Sequence, residues 1–130
     1  MQFEVEESYH GRVMVLSLRG VFNLEEAATS RFQRLAEIVI SINERVKRGE
    51  TCAEPYGLII DLKGLERMDS AGLGSLTSVA HKMANLGKEI RLCSVSRGVL
   101  SYLTINNSSL IPLVDENIYS SLDNHFQGYF

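Results

Sequence analysis

Residues 68–74, MDSAGLG, combine residue types at a spacing that could form a catalytic or binding site. Asp69 and Ser70 are adjacent, and Gly72 and Gly74 follow at the start of a segment with helical spacing. A serine at such a position could cap the helix, attack a substrate, lie beside a bound phosphate or receive a phosphate. Each of these roles requires different neighbours.

Helix capping is the most general of the four roles. Asp and Ser are preferred N-cap residues because their side-chain oxygens accept hydrogen bonds from the unpaired N–H groups of the first helical turn. Asp69 and Ser70 are therefore both candidate caps.

The neighbours of Ser70 argue against a nucleophile. The strand-to-helix elbow of hydrolases has a glycine two residues before the serine, where this chain has Met68. His81 lies on the same predicted helix, roughly 16 Å along it at about 1.5 Å of rise per residue. Only His10 or His125 could supply a base, through folding, so a nucleophilic Ser70 is disfavoured.

The two glycines at a helix start could present backbone N–H groups to an anion. A P-loop or a dinucleotide-binding loop would need further residues, and neither pattern is complete. The cysteines, Cys52 and Cys93, belong to no CxxC or Cys/His cluster, so two reduced thiols are expected, with Cys93 in the core. We therefore predict no cofactor and no metal site.

The composition excludes other classes. A chain of 130 residues with 45% hydrophobic residues is expected to form one globular domain, over residues 1–130. The formal net charge of -3 and the scattered Lys and Arg residues argue against a nucleic-acid partner. No apolar run approaches the ~20 residues of a membrane span, and the N-terminus lacks a signal-peptide pattern, so a cytoplasmic protein is expected.

Hydrophobic periodicity predicts the elements that must position these residues. Residues 3–6 and 12–19 predict a β-hairpin, and the apolar spacing from Ala28 to Val46 predicts a helix. The polar linker 50–56 is expected to be an exposed loop before a buried strand at 58–62.

The second half of the chain alternates between strands and helices. We predict a helix over 70–86, with Leu73, Leu76, Ala80 and Met83 buried. Three further elements are predicted: a strand at 89–95, a helix at 97–103, and a strand at 110–114 that Pro112 places at an edge. Asp115 is the expected cap of a last helix. The order ββαβαβαβα predicts an α/β fold with about four helices and a mixed sheet, parallel in its later part.

Residues 58–74, LIIDLKGLERMDSAGLG, and residues 87–96, GKEIRLCSVS, resemble the STAS domain of bacterial anti-anti-sigma factors. That family has an apolar strand ending in Asp-Leu, a short polar turn, Met-Asp-Ser-Ser/Thr/Ala-Gly-Leu-Gly, a helix and a further strand. The resemblance extends more weakly to LRGVFN at 18–23 and IPLVDE at 111–116, so it covers nearly the whole chain.

The resemblance implies a phosphorylation switch at Ser70. The unphosphorylated protein would bind an anti-sigma factor that is also a serine kinase and free the sigma factor, and the phosphorylated form would release the kinase. A phosphoserine phosphatase would be a further partner, and the resemblance implies a domain that is no enzyme and has no catalytic residue. By the same resemblance, the residues expected to contact the partner are Asn23, Asp69, Ser70, Ala71, Gly72 and Gly74.

Individual positions carry finer expectations. Asp69 would orient the Ser70 hydroxyl, and the two glycines would allow the kinase a close approach. Asn23 stands where the family usually has an aspartate, which retains turn and capping chemistry but loses the charge. Ala71 replaces a hydroxyl residue, so Ser70 is the one acceptor in the motif, and the long segment 43–56 is left without an assigned role.

Two alternatives remain open. The chain could be a STAS domain of another kind, either a stressosome-like scaffold or the small partner of a lipid or anion transporter. A small hydrolase that uses Ser70 is the second alternative, which Met68 and the distance to His81 disfavour.

Overall fold

The computed structural model describes residues 3–29, 31–52 and 54–130. Five strands form one sheet in the order β1-β2-β3-β4-β5. Strand β1 runs antiparallel to β2, and each later neighbour in the sheet is parallel. The predicted α/β fold with an N-terminal hairpin and a mixed sheet is therefore confirmed. The strands are β1 Glu4–His10, β2 Val13–Phe22, β3 Gly57–Met68, β4 Ile90–Cys93 and β5 Val114–Asp115.

Four helices correspond to those predicted from the sequence, and the short helix α1 precedes them. Helix α2 begins two residues after α1 ends, so the predicted helix at 28–46 is divided between the two. The side chain of Ala28, the first residue of the predicted apolar stripe, lies outside the described residues. The helices are α1 Leu24–Thr29, α2 Arg31–Lys47, α3 Ser70–Asn85, α4 Arg97–Ile105 and α5 Ile118–His125.

The sheet has a core on each face because successive strand residues point to opposite sides. On one face, Met14, Leu16 and Leu18 pack with α2, α3 and α4. On the other face, Leu122 of α5 and Phe126 pack on Val13, Val15, Ile59 and Cys93. The predicted core position of Cys93 is thus confirmed.

Strand β3 is longer than the sequence predicted. The expected strand at 58–62 with a polar turn after it is wrong at its end, because residues 63–68 continue the strand beside β2. Two register shifts place extra residues in β3 relative to β2, which is the geometry of β-bulges. The strand therefore ends at Met68, and the MDSAGLG turn begins directly at its carboxyl end.

The C-terminal region departs from prediction twice. Residues 111–113 form a 3₁₀ turn with a proline in its first positions, so β5 contains only Val114 and Asp115. Asp115 does not cap the last helix, because its carboxylate accepts hydrogen bonds from Arg91 Nε and Nη2 at 2.9 and 2.8 Å. Asn117 caps α5 instead, in a capping box with Ser120.

The linker between α2 and β3 is held at its end by a buried amide. Asn43 is 1% exposed; its Nδ2 donates to Tyr56 O at 2.8 Å and its Oδ1 accepts from Tyr56 N at 2.9 Å. Glu50, Cys52 and Glu54 are exposed, as predicted for this loop. The segment 43–56 thus begins with the last residues of α2, and Asn43 fixes the position of Tyr56 at the return to the sheet.

Candidate functional site

Two helices begin side by side at the carboxyl end of the sheet. Phe22 at the end of β2 pairs with Met68 at the end of β3, and the Asp69 backbone N–H donates to Phe22 O at 3.1 Å. Helix α1 follows β2 after one residue, and α3 follows β3 after one residue. The parallel pairing of β2 and β3 therefore brings Asn23 and Ser70, which are distant in sequence, to one surface.

Asp69 is the N-cap of α3 and also contacts α1. Its Oδ1 accepts hydrogen bonds from the N–H groups of Ala71 and Gly72, each at 3.0 Å. Its Oδ2 accepts from the Leu24 N–H at 3.0 Å. Of the two capping candidates in the sequence, Asp69 is the cap, and its carboxylate joins both helix starts.

Asn23 caps the neighbouring helix. Its Oδ1 accepts a hydrogen bond from the Glu26 N–H at 3.1 Å, and its carbonyl accepts from Ala27 N–H at 2.8 Å. The expectation that an asparagine here retains capping chemistry is confirmed. Asn23 is half-buried, so part of its surface faces solvent beside Asp69.

Ser70 is the first residue of α3 and is exposed. Its hydroxyl makes no hydrogen bond with any other described residue, including Asp69, whose carboxylate binds three backbone N–H groups instead. Asp69 was expected to orient the Ser70 hydroxyl. In the structure its carboxylate binds backbone N–H groups and does not contact that hydroxyl. The Ser70 side chain is therefore exposed on the first turn of α3 and free of hydrogen bonds to the part of the chain that the structure describes.

The two glycines of the motif lie in different surroundings. A Cβ on Gly72 would stand 2.3 Å from Phe22 O, so Gly72 is buried where α3 touches the end of β2. A Cβ on Gly74 would meet no atom within 4 Å, and Gly74 is exposed on the same helix face as Ser70, one turn later. Gly72 thus positions the turn from inside, whereas Gly74 belongs to the surface around Ser70. Ala71, between Ser70 and Gly72 in the sequence, is half-buried.

Leu24 is a surface residue that the sequence reasoning missed. Its side chain is 69% exposed although it is apolar, and its N–H is the one bound by Asp69. Exposed single apolar residues are common, and the signal that could have identified this one is its position directly after the Asn23 cap. It is an exposed apolar residue at the start of α1, which Asp69 joins to the start of α3.

The histidines lie away from Ser70. His81 Nε2 is 3.5 Å from Ser109 Oγ, and His125 lies near Glu89 and Asp115 on the α5 side of the sheet. His10 is at the hairpin end of β1 and pairs with Val13, about 30 Å along β2 from its carboxyl end at ~3.3 Å per residue. The arrangement gives Ser70 no nearby imidazole base among the described residues.

The groups with shifted pKa values also lie outside this surface. Burial alone raises the pKa of Asp115, but hydrogen bonds from Arg91 and Ser121, with the Arg91 and His125 charges, outweigh burial and lower it below its ordinary value. Burial raises the pKa of the Cys93 thiol to about 11. Both groups belong to the α5 side of the sheet, where they hold structure together.

Over the described ranges, no three His, Cys, Asp or Glu residues are close enough together to bind a metal ion. In the same ranges, no helix combines the length and the apolar composition that a bilayer span requires.

Comparison with known proteins identifies a family over almost the whole chain. The STAS domain family model matches residues 4–125. No curated protein is a significant match by sequence.

Three solved structures illustrate the likeness of the fold. An anti-sigma factor antagonist from Mycobacterium paratuberculosis has 15% identity and a TM-score of 0.70, with 94% of this chain and 92% of that chain covered. The phosphorylated form of the Bacillus cell fate determinant SpoIIAA has 16% identity and a TM-score of 0.59, with 94% and 97% covered. SLC26A9 has 12% identity and a TM-score of 0.67, with 85% of this chain but only 19% of that chain covered.

Proposed function

This chain belongs to the STAS domain family, and on that premise we propose that it is an anti-sigma factor antagonist regulated by phosphorylation of Ser70. The unphosphorylated protein binds an anti-sigma factor with serine kinase activity in the cytoplasm and frees the sigma factor. Phosphorylation ends that binding, and a phosphoserine phosphatase restores it. The protein itself contributes a surface and a phosphate acceptor, and catalyses nothing.

The observation that supports this function is the presentation of Ser70. It is exposed at the start of α3, and its hydroxyl makes no hydrogen bond with another described residue, while Asp69 fixes the backbone on both sides of the turn. A kinase needs an accessible hydroxyl in a defined position, because reacting atoms must be held in a near-attack geometry. The acceptor is therefore accessible without unfolding of α3.

The contacts of Asp69 explain why a phosphate here would act on the partner. A phosphoserine carries about -1.5 to -2 charges and three acceptor oxygens. The Ala71 and Gly72 N–H groups, which would otherwise bind it, already donate to Asp69. The phosphate consequently stays on the surface as added charge, beside a second anion.

The size of the resulting repulsion is sufficient for a switch. A coupling free energy of about 2–3 kcal/mol changes an affinity roughly a hundredfold. The helix dipole favours an anion at the first turn of α3, so the fold tolerates the modification. Binding to the partner changes while folding does not.

The alternative of a scaffold or transporter-associated module is not proposed, because no feature of the part of the chain described here favours it over the switch. The SLC26A9 likeness concerns the fold alone, at 12% identity. A partner other than a kinase would leave Ser70 unmodified in the experiment below.

The direct test is incubation with ATP and a candidate anti-sigma serine kinase, followed by mass spectrometry. We expect one phosphate, on Ser70, which is abolished by Ser70→Ala. Ser78→Ala is the matched control because Ser78 is an exposed serine of the same helix. Phosphate elsewhere, or none, contradicts the proposal.

A binding measurement tests the second half of the mechanism. Ser70→Asp introduces a negative charge at the acceptor, and we expect it to weaken binding to the kinase relative to wild type and Ser70→Ala. Calorimetric titration measures the three dissociation constants. Equal affinity of all three proteins would exclude electrostatic release.

A further inference from the structure

A groove next to Ser70 is unused by the phosphorylation mechanism. It has a volume of about 200 Å³ and lies between the end of β3 and the start of α4. We call it the Met68 groove. Its lining residues are Glu66, Arg67, Met68, Gly98, Val99 and Tyr102.

The Met68 groove has an apolar floor and a charged rim. Met68 is 8% and Val99 2% exposed, and Tyr102 is half-buried. Glu66 and Arg67 are exposed at the rim, and neither makes an ion pair or side-chain hydrogen bond with another described residue. An apolar pocket with unpaired charges of both signs at its edge resembles the centre and rim of a protein interface.

The groove is continuous with the phosphate acceptor. Met68 forms part of its floor, and Asp69 and Ser70 follow directly in the sequence. Leu24, whose backbone N–H donates to Asp69, is also exposed. The acceptor residue thus follows the groove residue Met68 by two positions, and Asp69 joins its turn to the start of α1.

A kinase that binds this protein stably must contact more than the hydroxyl. Stable protein interfaces cover about 800 Å² on each partner, and most of the binding energy comes from a few side chains inserted into pockets. The turn at 69–71 is a small part of such an area. The Met68 groove is the concave surface that adjoins it.

We propose that the kinase partner inserts one apolar side chain, aliphatic or aromatic, into the Met68 groove, and places polar groups against Glu66 and Arg67. An internal cavity of about 150 Å³ accommodates benzene, so 200 Å³ is sufficient for one such side chain. This inference rests on the proposed function, because it assigns a contact to the same kinase. It separates affinity, set by the groove, from switching, set by Ser70.

Gly98 offers a way to fill the groove without disturbing the fold. A Cβ on Gly98 meets no atom within 4 Å. Leucine also has a higher helix propensity than glycine, so Gly98→Leu is compatible with α4. Gly128→Leu is the matched control, because Gly128 is equally open and its carbonyl accepts from Arg12 Nη2 at the opposite end of the sheet.

The test measures the dissociation constant of the unphosphorylated protein for the kinase, with the extent of Ser70 phosphorylation measured in parallel. We expect Gly98→Leu to weaken binding at least about tenfold, which corresponds to about 1.4 kcal/mol. Gly128→Leu is expected to bind within twofold of wild type, on the order of experimental scatter in such comparisons. Arg67→Glu is expected to weaken binding less than Gly98→Leu does.

The outcomes distinguish the two proposals. If wild type neither binds the kinase nor becomes phosphorylated, the proposed function fails and the groove assignment fails with it. If wild type does both and Gly98→Leu binds equally well, only the groove assignment is overturned. If wild type is a dimer that Gly98→Leu dissociates without affecting kinase affinity, a second copy of the chain occupies the groove and the assignment is also wrong.

A second variant tests the groove assignment even if Gly98→Leu does not fold. Gly98→Cys in a Cys52→Ser background folds with a small side chain and is then modified with a bulky thiol reagent. Cys93 is fully buried and is not expected to react. Loss of kinase binding on modification supports the assignment, and unchanged binding overturns it.

Discussion

The carboxylate of Asp69 accepts a hydrogen bond from the Leu24 backbone N–H at 3.0 Å while its other oxygen caps α3. One side chain therefore joins the starts of two helices, α1 and α3, that belong to different parts of the sequence. The turn that presents Ser70 is fixed on both sides by this carboxylate.

Removal of this carboxylate should destabilise both helix starts. A lost N-cap typically costs about 0.5–2 kcal/mol, so we expect Asp69→Ala to cost about 2 kcal/mol or more across the two helices. Asp69→Asn retains one acceptor oxygen for the α3 cap but directs an amide donor at the Leu24 N–H. Urea unfolding should thus order the stabilities as wild type, Asp69→Asn, Asp69→Ala, and equal losses in the two variants would contradict the double role.

The two glycines of the motif should respond oppositely to the same change. Gly72→Ala forces a methyl group towards Phe22 O, where only 2.3 Å is available, and overpacking of this kind costs about 1–3 kcal/mol. Gly74→Ala adds the same methyl in open space and should stabilise α3 by about 0.5–1 kcal/mol. Thermal unfolding of the pair, each against wild type, measures both effects, and changes of the same sign would be inconsistent with this packing.

The Arg91 and Asp115 pair should make a contribution to stability that is lost in acid. The pKa of Asp115 is lower in the folded protein than its ordinary value of 3.8, so its contribution is present above that value. It is lost as the pH falls through the lowered pKa. The stability difference between wild type and Asp115→Asn should be large near about pH 5 and decrease at lower pH. Guanidinium unfolding over this range, in a His125→Gln background that removes the contact between His125 and Asp115, tests the sign.

The two thiols should differ in reactivity. Burial raises the pKa of Cys93 to about 11, although the Ser121 hydrogen bond opposes it, and its side chain is inaccessible. Cys52 is exposed in the linker. Because the thiolate is the reactive form, a thiol reagent at about pH 8 should modify one cysteine per native chain and both in denaturant. Two fast-reacting thiols in the native protein would show that the α5 side of the sheet opens readily.

The start of α3 was predictable from the sequence because local chemistry determines it. An Asp-Ser pair before apolar residues at helical spacing contains the cap and the buried stripe in a few adjacent positions, and the observed helix begins at Ser70. The alternation of strands and helices likewise predicted the parallel part of the sheet.

Other features were not predictable because they depend on contacts between distant residues. The Asp69 to Leu24 bond requires β2 and β3 to be neighbours in a particular register. Asp115 is of a residue type that commonly caps helices, but its carboxylate is bound by Arg91 on the adjacent strand. The Met68 groove similarly exists only where α4 meets the end of β3.

The contact between Gly72 and Phe22 O joins α3 to the sheet through the backbone of the end of β2, with no side chain between them. The Asp69 N–H to Phe22 O bond is a second such link. The location of the Ser70 hydroxyl is therefore set by atoms that most substitutions leave in place. Exchange of the exposed residues Leu24, Arg67 or Gly98 would therefore change the surface of the protein and leave the Ser70 hydroxyl in the same position.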